Sequence, residues 1–83
     1  GARVVVEALI DHRLWREQRL VDALTELGPA DLCRLAPRVY ADVPPLALPL
    51  AIRSLEAHLL KLEREGRVAR AGASGWRVAG RVG

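Results

Sequence analysis

The residues from Leu48 onward constrain the fold most, because a helical pattern stops at a glycine and an extended pattern begins. Apolar side chains recur there in steps of four, three, four and three, which places them within about 60° of one direction on an α-helix. They are Leu48, Ile52, Leu55, Leu59 and Leu62. Gly66 can adopt the left-handed conformation that ends a helix. We therefore predict a helix from about residue 48 to residue 65.

Two short segments after Gly66 alternate polar and apolar residues, as strands do. They are residues 67–70 and 76–79, and residues 72–75 between them read Gly-Ala-Ser-Gly. Alternating segments around a glycine-containing loop of four residues predict a β-hairpin.

Two further helices are predicted upstream. In residues 13–27 the apolar positions Leu20, Val21, Leu24 and Leu27 share one face, and Gly28-Pro29 provides the stop. A shorter helix follows, with Asp31 placed to accept hydrogen bonds from its free amides and Pro37 limiting it to two or three turns. Asp42 is expected to cap in the connector before the third helix. Three helices and then a hairpin form a mainly α (α+β) fold, the winged helix-turn-helix, in which the hairpin is the wing.

Size and composition bound the class of protein. The 83 residues suffice for one domain, and the longest apolar run, residues 43–52, is far shorter than the ~20 residues that cross a bilayer. We therefore expect no membrane association. The single cysteine, Cys33, cannot form an internal disulfide and fits the cytoplasm. We expect Cys33 to be a small buried packing residue.

No pattern in the sequence predicts catalysis or cofactor binding by this chain. His12, Cys33 and His58 lack the spacing of zinc ligands, and no phosphate-binding glycine motif occurs. His58 falls at the edge of the leucine face, near Ser54 and Lys61. We expect one ring nitrogen of His58 to bond a neighbour while the ring packs, and contact with a substrate is the alternative.

The excess of basic over acidic residues lies in the second half of the chain. Residues 1–42 contain six arginines and seven acidic residues, whereas residues 43–83 contain seven basic and three acidic residues. No acid follows Gly66, but four arginines do: Arg67, Arg70, Arg77 and Arg81. Such a wing can attract phosphates. A solvated basic surface without a partner is the alternative.

The face of the third helix opposite Leu55 distinguishes base reading from protein packing. The helical wheel places four residues there and two beside them. They are Arg53, Ala57, Leu60 and Arg64, flanked by Leu50 and Lys61. A helix that reads bases usually presents Arg, Asn, Gln or Ser. The apolar strip of Leu50, Ala57 and Leu60 suits a protein surface better, so we predict docking rather than base reading.

Four segments carry a more specific resemblance. They read HRLWREQRLVDAL (12–24), GPADLCRL (28–35), VYADVP (39–44) and RSLEAHLLKLEREGRV (53–68). Together they resemble the C-terminal winged-helix domain of metallo-β-lactamase-fold hydrolases of the β-lactamase-like protein 2 type. In that family an HRxxRE opening, a VYxDVP connector and an SLxAHLxKLExEGRV helix occur in this order.

The resemblance implies a non-catalytic domain of a zinc-dependent hydrolase whose metals lie in a missing upstream domain, since this chain lacks the family's HxHxDH motif. It also implies that residues 1–12 end a linker helix from that domain and that residues 13–83 form the winged-helix domain. The expected interface combines the HRxxRE residues with the apolar strip: His12, Arg13, Arg16, Glu17, Leu50, Ala57 and Leu60.

Two functions follow. The first is an accessory domain that packs on the catalytic domain in cis, or on a second copy, and helps to bind an extended, RNA-like substrate. The alternative is a free-standing DNA-binding regulator. The candidate contacts to substrate or nucleic acid are Arg53, His58, Lys61, Arg64, Arg67, Arg70 and Arg77.

Overall fold

The structure, a computed structural model that describes residues 1–80, has the predicted order of elements. The helices are α1 (Ala2–Leu27), α2 (Leu32–Val39) and α3 (Leu48–Arg64), and a 3₁₀ turn, Pro45–Ala47, precedes α3. The strands β1 (Val68–Ala71) and β2 (Gly75–Val78) pair antiparallel. The chain thus has the winged-helix fold that the sequence predicted.

The linker helix expected at residues 1–12 and the helix predicted at residues 13–27 form one helix, α1. It runs without a break from Ala2 through the expected boundary at residue 12. The β-branched run at residues 4–6 does not prevent this, because branched side chains lower helix propensity only slightly. α1 ends at Gly28, which has a φ of 74° and donates its N–H to the carbonyl of Leu24 over 2.9 Å.

The ends of α2 and α3 follow local signals in the sequence. The side chain of Asp31 accepts a hydrogen bond from the N–H of Arg34 at 2.9 Å, which confirms the predicted cap. Pro37 lies inside α2, and the helix stops two residues later. After α3, Gly66 adopts a φ of 75°, and the following N–H, of Arg67, bonds the carbonyl of Leu62 at 2.9 Å. The left-handed stop at Gly66 is therefore confirmed.

The hairpin has a loop of three residues instead of the predicted four. Gly75 pairs with Ala71 and so belongs to β2. A side chain at position 75 would place its Cβ 2.7 Å from the carbonyl oxygen of Ala71, so the close pairing needs glycine. Ala30 and Trp76 exchange two backbone hydrogen bonds, of 2.9 and 2.8 Å. This bridge anchors the wing to the segment between α1 and α2.

The core lies between the three helices and is closed on one side by the hairpin. Its largest fully buried apolar side chains are Leu20, Leu24, Leu35, Val39, Leu55, Leu59 and Leu62, and Val68 and Trp76 cover it from the strands. Cys33 is exposed, so the prediction that it is buried was wrong. It lies about 160° around α2 from the buried Leu35, on the outer face of the helix.

None of the helices within residues 1–80 combines the length and the apolar character needed to span a membrane.

Candidate functional site

The first half of α1 carries an exposed apolar surface. Of nine large hydrophobic side chains that are exposed among the described residues, seven lie here: Val4, Val5, Val6, Leu9, Ile10, Leu14 and Trp15. We call these seven residues the apolar surface of α1. Val4 is 66% exposed and Leu9 is 65% exposed, although both belong to the same helix as fully buried leucines. Folding of the described residues therefore leaves this surface uncovered.

Part of the apolar surface of α1 continues the face that forms the core. Leu24 and Leu20 face α2 and α3, and helical steps of three or four residues along the same direction lead through Arg13 to Leu9 and Val6. Beyond the charged positions Glu17 and Arg13, the face that packs in the second half of the helix is apolar again at Leu9 and Val6. Such a face normally packs against another element.

Glu17 lies where the buried part of this face begins, and it joins α1 to α3. Its carboxylate is fully buried and accepts hydrogen bonds from Lys61 Nζ at 2.9 Å and from His58 Nδ1 at 3.0 Å. Because a carboxylate only accepts, the hydrogen of the His58 ring must lie on Nδ1. Burial raises the pKa of Glu17, but the bonds from Lys61 and His58 outweigh this, so its pKa falls below the ordinary value of 4.5. Glu17 is therefore held as an anion.

Lys61 completes this pairing on α3. Its ammonium also lies 3.0 Å from a carboxylate oxygen of Glu65, one turn further along the helix. The hydrogen bonds to Glu17 and then to Glu65 raise the pKa of Lys61 above 10.5. The prediction that one nitrogen of His58 bonds a neighbour is confirmed, whereas the substrate contacts considered for His58 and Lys61 compete with these internal bonds.

Arg16 makes the second polar link, from α1 to the end of α2. Its Nη1 donates to the carbonyl of Val39 at 2.7 Å and to Asp42 Oδ1 at 2.6 Å, and its Nη2 donates to Asp42 Oδ2 at 3.1 Å. The guanidinium carbon lies 4.9 Å from the ring centre of Trp15 and 4.5 Å from that of Tyr40. The bond from Arg16 lowers the pKa of Asp42 from 3.8 to about 2.

These contacts correct three sequence-based expectations. Arg16 and Glu17 were expected at an interface with another domain, but both side chains are buried inside this one. Asp42 was expected to cap a helix, and it binds Arg16 instead. The contacts also connect the quoted patterns to one another. Arg16 of HRxxRE binds the aspartate of VYxDVP, and Glu17 of HRxxRE binds the histidine and lysine of AHLxKL. The residues of these patterns therefore hold the elements of this domain together.

The remaining predicted interface residues lie in two places. His12 and Arg13 are exposed on the first half of α1, with the His12 ring 5.6 Å from that of Trp15. Leu50 and Ala57 are exposed on α3.

Leu60 is half-buried and packs against the core, so the predicted outer strip of α3 is interrupted. It lies about 140° around α3 from Leu55, which lets a long side chain reach the edge of the core. The sequence pattern also gave no hint of Leu46, which is 97% exposed in the 3₁₀ turn beside Leu50.

The candidate arginines on α3 and the wing are exposed. They are Arg53, Arg64, Arg67, Arg70 and Arg77. The guanidinium of Arg70 stacks 4.0 Å over the ring of Trp76 and lies 3.5 Å from a carboxylate oxygen of Glu63. Arg81, the fourth arginine after Gly66, lies outside the described residues.

Within residues 1–80 no group of three or more His, Cys, Asp or Glu side chains is placed to hold a metal ion. The buried polar groups Arg16 and Glu17 connect the helices to one another. The arrangement supports contacts with another macromolecule.

A family model agrees with this architecture. The model of the beta-lactamase associated winged helix domain matches residues 33–76, which run from α2 through α3 to the start of β2. These are 44 of the 83 residues and include the connector, the AHLxKL helix and most of the wing. The chain belongs to the family of beta-lactamase associated winged helix domains.

Proposed function

We propose that the chain is a non-catalytic accessory domain that packs against a β-lactamase-fold domain of the same polypeptide through the apolar surface of α1. In this proposal residues 1–12 are the end of a linker helix, and the partner domain is a zinc-dependent hydrolase that carries the metal site. The name of the matched family supports an association with such a domain. The single cysteine supports a cytoplasmic location.

The observation that carries the proposal is the concentration of seven exposed apolar side chains on one half of one helix. Small domains rarely keep contiguous apolar patches of this kind in water unless the patch is a binding site. Burying a large aliphatic side chain is worth about 1.5–3 kcal/mol. A few such residues would offset much of the entropy lost on docking, especially when a covalent link keeps the two domains close.

Hydrogen exchange tests the docking. We expect the amides of residues 4–15 to exchange more slowly when the chain is joined to a β-lactamase-fold domain of its own protein than in the 83-residue chain alone. The double substitution Val6→Asp and Leu9→Asp should remove that protection, because it buries two charges in the contact.

Ala73→Asp, in the exposed hairpin loop, is the matched control and should keep the protection. Equal amide exchange rates of residues 4–15 in the joined protein and in the isolated chain would refute the docking. Concentration-dependent protection in the isolated chain would assign the surface to a second copy instead.

The wing supports the secondary part of the proposal, a weak contact with the phosphates of an extended, RNA-like substrate. Arg67 and Arg77 are exposed and form no ion pair within residues 1–80. Trp76, which could stack on a base, is 2% exposed and covered by Arg70, so the wing offers charge without base recognition. Affinity for single-stranded RNA should therefore fall steeply with salt. Tight, sequence-selective binding to duplex DNA would instead support the DNA-binding alternative.

A further inference from the structure

The apolar surface of α1 does not lie on one side of the helix. Val6 and Leu9 point within about 40° of the direction of the core leucines, so they form a core side. Val4 and Trp15 point about 160–180° away from that direction and form an outer side. The other three members project between these two sides. Apolar side chains therefore surround most of this part of the helix.

The second half of α1 shows how the same helix looks when it packs on one side only. Leu20 and Leu24 on its core side are buried, whereas Gln18, Asp22 and Glu26 on its outer side are exposed. Gln18 and Asp22 are joined by a hydrogen bond of 2.9 Å at the surface. A helix that is apolar on all sides is normally buried on all sides. The first half of α1 thus has the residue distribution of a helix that is covered from two sides.

The area of the helix also favours contact on two sides. Residues 4–15 form a cylinder about 18 Å long and about 11 Å wide, so one half of its side offers roughly 300 Å² and the whole roughly 600 Å². A stable interface of standard size buries about 800 Å² on each partner. Contact along one side falls well short of that area, and contact on both sides approaches it.

We propose that the partner encloses the first half of α1 between two apolar walls, one against Val6 and Leu9 and the other against Val4 and Trp15. This enclosure rests on the proposed function, since the partner is the same β-lactamase-fold domain in cis. That domain then needs an apolar groove for the helix, not a flat apolar patch. Trp15 belongs to the residue type most enriched among the side chains that dominate binding energy.

The charged residues of the first half fit such a groove. Arg3 and Glu7 lie one turn apart with 3.6 Å between Nε and Oε1, and they point between the core side and the outer side. This pair can face water at the mouth of the groove. Arg13 on the core side and Asp11 on the outer side form no ion pair within residues 1–80. The wall against Arg13 should therefore present an acidic residue, and the wall against Asp11 a basic one.

Thiol labelling distinguishes the sides of the helix, whereas amide exchange reports the helix as a whole. Cys33 is exposed, so Cys33→Ser gives a background without cysteine in this chain. Leu9→Cys, Val4→Cys and Glu7→Cys then report the core side, the outer side and the mouth of the groove. The three positions are matched, because Leu9 is 65% exposed, Val4 is 66% exposed and the Glu7 side chain is 65% exposed. A maleimide should label all three at similar rates in the 83-residue chain.

The rates should separate when the chain is joined to the β-lactamase-fold domain of its own protein. Leu9→Cys and Val4→Cys should both react at least about tenfold more slowly than in the isolated chain, because buried thiols are inert. Glu7→Cys should keep its rate. Cysteine is a small apolar residue, so the substitutions at Leu9 and Val4 retain part of each contact. Mass spectrometry of the labelled peptides gives the rate at each position.

The outcomes separate the enclosure from the docking itself. Protection on one side only would mean that the helix lies on a flat surface, so the docking would stand and the enclosure would be overturned. Protection at neither Leu9→Cys nor Val4→Cys would refute the docking as well. Equal slowing at Glu7→Cys would indicate a general loss of reactivity and not two walls. Slowing of Val4→Cys that grows with the concentration of the isolated chain would assign the outer side to a second copy and overturn enclosure by one partner.

Discussion

The two halves of α1 are both helical but lie in different surroundings. Residues 16–27 place Leu20 and Leu24 in the core, whereas residues 2–15 leave their apolar side chains in water. Both halves are helical, so local propensity alone does not distinguish them. What differs is whether α2 and α3 reach the helix. An apolar helical face therefore indicates that the helix packs against another element. Whether that element lies in the same domain depends on how far α2 and α3 extend along the helix.

The largest expected difference between the halves is the response to leucine truncation. Leu24→Ala should lower the free energy of unfolding by about 2–5 kcal/mol, since it leaves a cavity in the core. Leu9→Ala, the same change in the exposed half, should alter it by less than about 0.5 kcal/mol. Urea denaturation of the 83-residue chain measures both. Similar losses would mean that residues 2–15 are already packed in the free chain.

Lowering the pH tests the polar links at the border between the two halves of α1. The pKa values of Glu17 and Asp42 are lower in the folded chain than the ordinary values expected in the unfolded chain, so the unfolded chain binds more protons as the pH falls. Their contribution to stability is present above about pH 5 and should be lost progressively towards pH 2. Melting temperatures across this range measure the loss.

Glu17→Gln gives the matched variant. It keeps the shape of the side chain but removes the buried anion, so it should cost about 1–3 kcal/mol at pH 7 and flatten part of the acid dependence. An unchanged acid profile would show that Glu17 is not the group that titrates.

The smallest expected effect concerns the exposed half by itself. Val5→Ala replaces an exposed branched residue with a better helix former and should favour the helix by a few tenths of a kcal/mol. Amide exchange of residues 2–12 should slow slightly, with no loss of global stability. If exchange accelerates instead, Val5 makes contacts in the free chain that its exposure does not indicate.

Local signals were sufficient to predict most of the fold. The leucine repeat of α3, the cap at Asp31 and the stop at Gly66 each depend on neighbours within a few residues, and all three are confirmed. The alternation around residues 72–75 predicted the hairpin to within one residue. Residues 1–12 were expected to be helical as the end of a linker helix, but their continuity with residues 13–27 was missed, because a regular apolar face begins clearly only in the half that is buried.

The polar links were harder to predict because they join residues that are far apart in sequence. Glu17 meets His58 and Lys61 across 41 and 44 residues. One signal was available: Glu17 lies seven residues before Leu24, on the same helical face, so a buried charge that needs a partner could have been expected there. Leu60 was misplaced because a helical wheel gives the direction of a side chain but not its reach. Cys33 was misplaced because the expectation followed the usual burial of cysteine, although the wheel places it opposite Leu35.

The bridge between Ala30 and Trp76 has a consequence for the order of folding. It joins residues that are 46 positions apart, whereas α1 and α2, and α2 and α3, are neighbours in sequence. Closing the longer loop costs more chain entropy, so we expect the wing to join the helices after the transition state. Trp76→Leu should then accelerate unfolding and leave the folding rate nearly unchanged in stopped-flow experiments. In this order of folding, the contacts between the wing and the helices set the unfolding rate and therefore the lifetime of the folded chain.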